Sequence, residues 1–157
     1  MSKKIIYFSI LLLSFIWCFS IILAPYLKAT KSGYNIFIYF FFSRICHQLP
    51  ERSFYIFGEK FAACERCTSI YFSFFVGTVF FPLIRKIKTE YLKICLYISI
   101  FFIVIDFLFG YIYFQNIYTI IISGSALGLC SSYFVVYGII NSFNKSNQNL
   151  EAKKIGR

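Results

Sequence analysis

One short stretch of the sequence, ICHQLPERSFYIFGEKFAACERCTSIYF at residues 45–72, holds three of the six cysteines and the only histidine. Cys64 and Cys67 form a C-x-x-C pair, and on the first turn of a helix the two side chains would share a face. Exposed backbone N–H groups and the positive end of the helix dipole stabilise a thiolate there, which suits a metal ligand or a redox thiol. We therefore expect a metal-binding or redox site in this stretch.

Adding Cys46 and His47 to the pair gives three sulfurs and an imidazole, which is the ligand set of a closed tetrahedral zinc site. Neighbouring residues point in different directions in a regular strand or helix. Cys46 and His47 can therefore bind one ion only at an irregular turn, and Pro50 favours such a turn. A disulfide between Cys46 and one cysteine of the pair is the competing interpretation, and an extracytoplasmic location would favour it. The predicted metal ligands are Cys46, His47, Cys64 and Cys67.

Three arginines, Arg44, Arg52 and Arg66, fall within 23 residues of a chain that has 11 lysines and only 5 arginines. A planar fork of donors suits a carboxylate or the head group of an anionic lipid, although single arginines also serve as interfacial anchors. Asp106 is an ionisable residue inside an apolar run, so it should face other helices, either as a functional group or as a structural partner of hydroxyl groups. We predict a polar pocket beside the metal with Asp106, Arg52 and Arg66 as candidate catalytic residues.

The composition places these residues in a membrane protein. The 157 residues are 59% hydrophobic and 23% aromatic, with a mean hydropathy of +0.72. In a soluble domain a net charge of +10 would indicate binding to nucleic acid. Here the charges lie between apolar runs and indicate the topology of the chain in the membrane. Nucleic acid is therefore not expected as a partner. Four runs are long enough to span a bilayer, at about 5–25, 67–84, 93–114 and 117–140.

The predicted fold is an all-α membrane protein with four transmembrane helices and a short interfacial or re-entrant helix at residues 34–43, before the Cys/His motif. The first run is too long for the core of a typical signal peptide, and no A-x-A site follows it, so we interpret it as an uncleaved helix. The distribution of lysines and arginines among the segments between the apolar runs predicts a protein of the cell membrane with both termini in the cytoplasm. Segment 26–66 is then extracytoplasmic and residues 141–157 form a polar cytoplasmic tail.

The remaining features of the apolar runs are explained by packing. Gly124 and Gly128 have the G-x-x-x-G spacing that lets two helices approach closely. Cys18, Cys95 and Cys130 are interpreted as small buried apolar side chains.

Within residues 45–72 the sequence reads C-H-x-x-P-E-R-S-F, then Gly58, then C-x-R-C-T-x-I-Y. This pattern resembles that of a family of small integral membrane proteins of bacteria and archaea classed only as a domain of unknown function. The resemblance is looser elsewhere, and it implies that Asp106 corresponds to an Asp in the family's third span. The sequence departs from the pattern at Ser69, where the family usually has Gly, and it lacks a counterpart of the Arg at the start of the family's last span. The resemblance implies the fold and the site but no reaction.

Three classes of function fit these residues. The first is a membrane protein with a zinc site next to an Arg/Asp pocket. The ion would be structural if it has four protein ligands, and it could be catalytic if one coordination position is open. The second is a membrane thiol–disulfide oxidoreductase that uses the CERC pair. The third is a lipid-binding or accessory membrane subunit without catalysis. The sequence leaves open whether the protein is an enzyme and what its oligomeric state is.

Overall fold

The computed structural model describes the backbone of residues 3–86, 88–112 and 116–155, and the side chains of residues 3–86, 88–108 and 116–143. Five α-helices account for most of this described part, and one 3₁₀ turn and one very short hairpin interrupt them. In chain order the elements are α1 (Lys3–Ala29), α2 (Asn35–Ser43), the 3₁₀ turn (Pro50–Arg52), β1 (Tyr55–Ile56), β2 (Glu59–Lys60), α3 (Glu65–Ile84), α4 (Thr89–Ile112) and α5 (Ile117–Ile155).

Within these described residues, four helices are long and apolar enough to cross a bilayer. Their apolar windows have mean hydropathies between 1.7 and 2.5, and they lie in α1, α3, α4 and α5. The short helix α2 precedes the Cys/His motif. The protein is therefore an all-α membrane protein, and this prediction from the sequence is confirmed.

The helices extend beyond the apolar runs that predicted them. α1 continues to Ala29, past the run at 5–25, and α4 already begins at Thr89. The basic connection at 85–93 is consequently shorter than predicted, because Lys93 lies within α4 and pairs with Glu90 at 3.0 Å. Lysine and glutamate are good helix formers, so a helix does not end where its apolar residues end.

α5 likewise runs through the polar residues that were predicted to form a tail. Its backbone remains helical to Ile155. The side chains of residues 144–157 lie outside the described residues, so the surroundings of this segment stay a prediction.

α3 and α5 pack closely because glycines replace larger side chains at their contact. A methyl group at Gly124 would lie 3.2 Å from Ser69 Cβ and 3.2 Å from the Arg66 carbonyl oxygen. At Gly128 a methyl group would clash with Ser73 Oγ and with the carbonyl oxygen of Ile70. The close approach predicted from the G-x-x-x-G spacing is thus made against α3.

α1 packs on α3, and α4 packs on α5. The Tyr7 hydroxyl of α1 donates to the Thr78 carbonyl oxygen at 3.0 Å. On the other side, Ser99 Oγ of α4 lies 3.7 Å from Cys130 Sγ of α5. Cys95 is exposed, and the prediction that it is buried is wrong because only one face of α4 contacts α5.

The motif segment folds at one end of the helices, where α1 ends and α3 begins. Lys28, in the last turn of α1, pairs with Glu59 of β2 at 2.6 Å. Between the two strands, Phe57 and Gly58 have φ angles of 54° and 76°, as the tight turn of a hairpin requires. Strands of two residues are too short to show the alternating pattern by which the sequence would predict them.

Candidate functional site

The sulfur atoms of Cys46, Cys64 and Cys67 lie within 4.8 Å of one another. Cys46 is buried, and the other two are partly exposed. Cys64 has extended backbone angles (φ −68°, ψ 164°) and immediately precedes α3, while Cys67 lies on the first turn of that helix. The helix start therefore places the C-x-x-C pair around a common point, and Cys46 joins it from the preceding segment.

An irregular turn after α2 delivers Cys46 to this point. The Cys46 backbone N–H donates to the Phe42 carbonyl oxygen at 2.9 Å, which closes the end of α2. Gln48 then has a positive φ of 50°, so the chain reverses direction. Its side-chain amide donates to the carbonyl oxygens of Tyr39 at 2.8 Å and Ala62 at 2.7 Å.

Gln48 thus ties α2 to the residues just before CERC. This positioning role is not predicted by the sequence alone. The signal available there was an amide side chain between the predicted ligand His47 and the predicted turn at Pro50. Such a side chain becomes informative only once the backbone carbonyls around it are known.

Hydrogen bonds concentrate negative charge on Cys46. The Cys64 backbone N–H donates to the Cys46 sulfur at 3.2 Å, and the thiols of Cys64 and Cys67 lie close enough to donate to the same atom. These donors hold the pKa of Cys46 well below its usual range, although burial acts in the opposite direction. Giving this hydrogen bond raises the pKa of Cys64. Thiolates are the form in which cysteines bind metals, so Cys46 has the ionised form of a ligand, whereas Cys64 would release its proton when a metal binds.

His47 stands apart from the three sulfurs. Its side chain is exposed, and it is not among the ligand-type atoms that lie within 4.8 Å of one another. The irregular turn that brings Cys46 to the cluster therefore does not bring the neighbouring imidazole with it. The structure thus brings three of the four predicted ligands together and leaves the imidazole at the rim of the adjoining cavity.

Arg66 and Asp106 form an ion pair between the first turn of α3 and α4. Arg66 Nη2 donates to Asp106 Oδ2 at 2.5 Å, and the side chains are only 22% and 11% exposed. Asp106 therefore faces the other helices at the end of the molecule where the cysteines lie. The Nε of the same guanidinium is buried and has no hydrogen-bond partner among the described residues.

The other two arginines of the cluster differ in position. Arg52 lines the cavity beside the cysteines, and its charge acts on the nearby Glu65 carboxylate. Arg44 lies over the ring of Phe40, 4.8 Å from its centroid, and does not line that cavity. Only the arginines at 52 and 66 accompany the cysteines.

A cavity of about 230 Å³ adjoins the three sulfurs. One part of its wall is polar and consists of the three cysteines with His47, Arg52, Glu65 and Arg66. The rest is apolar and consists of Ile45, Leu49, Phe107 and Ile120. The predicted pocket residues Arg52 and Arg66 line this space. Asp106 holds Arg66 in position through the ion pair.

This arrangement of cysteines, arginines and apolar helices can be compared with known proteins. An uncharacterized protein of Methanocaldococcus jannaschii, MJ1492, is 44% identical over 88 residues, which are 52% of this chain and 56% of that protein. An uncharacterized protein of Methanothermobacter thermautotrophicus is 37% identical over 73 residues, which are 45% of this chain and 66% of that protein. The chain thus spans less than two thirds of the length of these relatives. No solved structure matches.

The family comparison covers the part of the chain that contains the site. The matched residues, 46–134, begin at Cys46 and include the C-x-x-C pair, Asp106, and Gly124 and Gly128 of α5. They make up more than half of the chain. The protein therefore belongs to the family DUF2085, described as a predicted membrane protein.

Proposed function

We propose that this membrane protein holds a zinc ion on the sulfurs of Cys46, Cys64 and Cys67, next to a pocket formed by Arg52, Arg66 and Asp106. The short distances between the three sulfurs support this zinc site most directly. Sulfurs bound to one zinc ion at about 2.3 Å in a tetrahedron lie about 3.8 Å apart. The sulfurs here already lie within 4.8 Å of one another, so small side-chain rotations would complete the site.

The fourth coordination position decides what the ion does. If His47 turns inward from the rim of the cavity, the site has four protein ligands and is structural. If His47 stays exposed, the fourth position belongs to a water molecule or a substrate in the cavity, and the ion acts as a Lewis acid. The exposed position of His47 and the cavity beside the sulfurs favour the open site.

We place the site at the extracytoplasmic face. The basis is the distribution of lysines and arginines, which favours cytoplasmic termini and a cytoplasmic α3–α4 connection. The motif lies at the other end of α3 from that connection. An ion at this face would bind in an oxidising compartment, where coordination also protects the thiols from disulfide formation.

Metal analysis of the purified protein tests the proposal. We expect one zinc ion per chain in the wild type, and strongly reduced zinc in Cys46→Ser, Cys64→Ser and Cys67→Ser. Cys18→Ser and Cys130→Ser remove thiols of the apolar helices and serve as matched controls with unchanged zinc. Chelation should lower the thermal midpoint of the wild type, because ligand binding to the native state contributes to its stability. An unchanged midpoint with chelator, together with a lowered midpoint with reductant, would reject the zinc site.

His47→Gln separates the structural from the catalytic form of the site. A closed site should lose zinc affinity about as strongly in His47→Gln as in the cysteine variants. An open site should keep zinc in this variant, and exogenous anions such as azide should then change the spectrum of the cobalt-substituted protein. Cobalt serves as the probe because zinc has no d–d spectrum.

A thiol–disulfide oxidoreductase is the second candidate. The three close sulfurs and the lowered pKa of Cys46 would also suit a nucleophilic thiolate and its disulfide partners. This function predicts metal-free protein in which two of the three thiols are oxidised and one is free. A free-thiol count on the samples used for metal analysis distinguishes the two candidates.

A further inference from the structure

The cavity beside the cysteines has one polar and one apolar part, and it lies at the level where α4 and α5 emerge from their apolar windows. Phe107 belongs to its apolar part and is 62% exposed on the outer surface of α4. Ile120, in the first turns of α5, is buried behind it. Since the surface of α4 is covered by lipid in a membrane, the apolar part of the cavity adjoins the bilayer rather than water.

The polar part has unused donors. The Nη2 of Arg66 donates a hydrogen bond to Asp106. The Nε–H of Arg66 is buried and has no hydrogen-bond partner among the described residues. A buried donor without an acceptor is destabilising, so an acceptor from a ligand would be stabilising there. Arg52 adds an exposed cation on the same wall.

We propose that this cavity binds an amphiphile from the bilayer, with a carboxylate or phosphate head at Arg52 and Arg66 and an apolar chain against Phe107 and Ile120. The volume of about 230 Å³ accommodates a head group and the first part of a chain, and the remaining chain lies in lipid. Where the zinc site of the proposed function is present, an oxygen of the head also suits the fourth position of the ion. That contact rests on the proposed function, whereas the arginine and apolar contacts do not.

The test uses the single tryptophan as a donor of fluorescence energy. Trp17 packs against Tyr71, in the same cluster as Cys46 and Cys67, so a chromophore in the cavity lies within transfer distance. The probe is cis-parinaric acid, a fatty acid with a fluorescent chain, added to the full chain in uncharged detergent. We expect saturable energy transfer that dioctanoyl phosphatidic acid reverses.

Two further competitors identify the source of the head group. Dioctanoylglycerol has the chains without the charge, and inorganic phosphate has the charge without the chains. We expect neither to displace the probe at concentrations where dioctanoyl phosphatidic acid does. Displacement by inorganic phosphate alone would make the cavity a free-anion site and overturn the proposal, as would equal displacement by dioctanoylglycerol.

Matched variants locate the binding. Arg52→Gln and Phe107→Ala should each weaken binding about tenfold, because the first removes a charged donor and the second removes apolar contact. Arg44→Gln and Phe101→Ala are the controls, since Phe101 is 63% exposed on the same helix and neither residue lines the cavity. Equal binding by all four variants and the wild type would show partition into the micelle and overturn the proposal.

Arg66→Lys examines the buried donor while it keeps the positive charge opposite Asp106. We expect weaker binding, because lysine has no counterpart of the Nε–H, and unchanged binding would overturn the proposed contact of the head group with Arg66. Zinc is measured in the same samples. Zinc-free protein that still shows cavity-dependent binding would reject the proposed function alone, and zinc-loaded protein without such binding would reject this inference alone.

Discussion

Arg66 and Asp106 place two opposite charges between α3 and α4 at a distance of 2.5 Å. An ionised aspartate at the centre of a membrane helix costs at least ~2.5 kcal/mol on insertion scales, and its cost decreases towards the interface. Pairing with the guanidinium offsets this cost and fixes the rotation of α4 about its axis. At the scale of single residues, the pair therefore links the apolar helices to the site, because Arg66 also lines the cavity beside the cysteines.

Asp106→Asn should insert into the membrane but lose stability. The neutral amide keeps the volume of the side chain while it leaves the Arg66 charge without its carboxylate. Removal of one partner of a buried ion pair costs up to about 3–5 kcal/mol, and we expect about 3 kcal/mol here because both side chains retain some exposure. The measurement is the free energy of unfolding in mixed micelles.

A double-mutant cycle provides the control for that value. Arg66→Gln combined with Asp106→Asn should recover part of the stability, because neither charge is then left alone. Additive losses in the cycle would show that the two side chains do not interact, and the pocket would lose its second arginine. The Asp106→Asn variant should also impair any phenotype that Cys64→Ser abolishes.

At the scale of helices, the contact of α3 with α5 holds the first turn of α3 in place, and with it the C-x-x-C pair. Gly124 and Gly128 of α5 face the backbone and the serines of α3. At Ser69, where the resemblance implied Gly, the Cβ is 3.2 Å from where a Cβ of Gly124 would be. The larger residue on α3 is accommodated because its neighbour on α5 has no side chain.

Gly128→Ala should destabilise the protein by about 1–3 kcal/mol through overpacking. The added methyl group would clash with the Ile70 carbonyl oxygen, and backbone cannot move aside as a side chain can. The matched control is Gly138→Ala on the same helix, where nothing lies within 4 Å of the new methyl group. The control should be neutral or slightly stabilising, because alanine favours a helix over glycine.

Denaturant titration of the two glycine variants in micelles provides the comparison. Ser73→Ala added to Gly128→Ala should not restore stability, since the backbone clash persists. Equal stability of the variants at residues 128 and 138 would show that α3 and α5 do not approach as closely as described.

At the scale of the whole molecule, the motif segment caps one end of the apolar helices, and the α3–α4 connection lies at the other. Large apolar side chains are exposed along α1 and α4, as contact with lipid requires. The exposed phenylalanines and isoleucines of α2 extend this surface beside the motif. Arg85, Lys86 and Lys88 of the α3–α4 connection favour the cytoplasm for the opposite end.

Reporter fusions test this orientation. Alkaline phosphatase, which is active only outside the cytoplasm, should be active when fused after Gly33 and inactive when fused after Lys88. Green fluorescent protein should show the reverse pattern at these positions and should fluoresce after Arg157. Phosphatase activity after Lys88 would invert the topology and place the cysteines on the reducing side of the membrane.

The sequence by itself determined the membrane class, the four apolar helices and the stretch that holds the cysteines. These features depend on composition and on spacing along the chain, and a bilayer imposes both on any helix that crosses it. The sequence also indicated that Asp106 faces other helices, because a lone charge towards lipid is costly.

The tertiary structure decided which of these residues meet. It brings Cys46 to Cys64 across 18 residues and Arg66 to Asp106 across 40, while it leaves His47 at the rim. These outcomes depend on the positive φ of Gln48, on the carbonyls that its amide binds, and on the close approach to α3 that Gly124 and Gly128 permit. Local sequence patterns do not encode them, because each depends on contacts between segments that are distant along the chain.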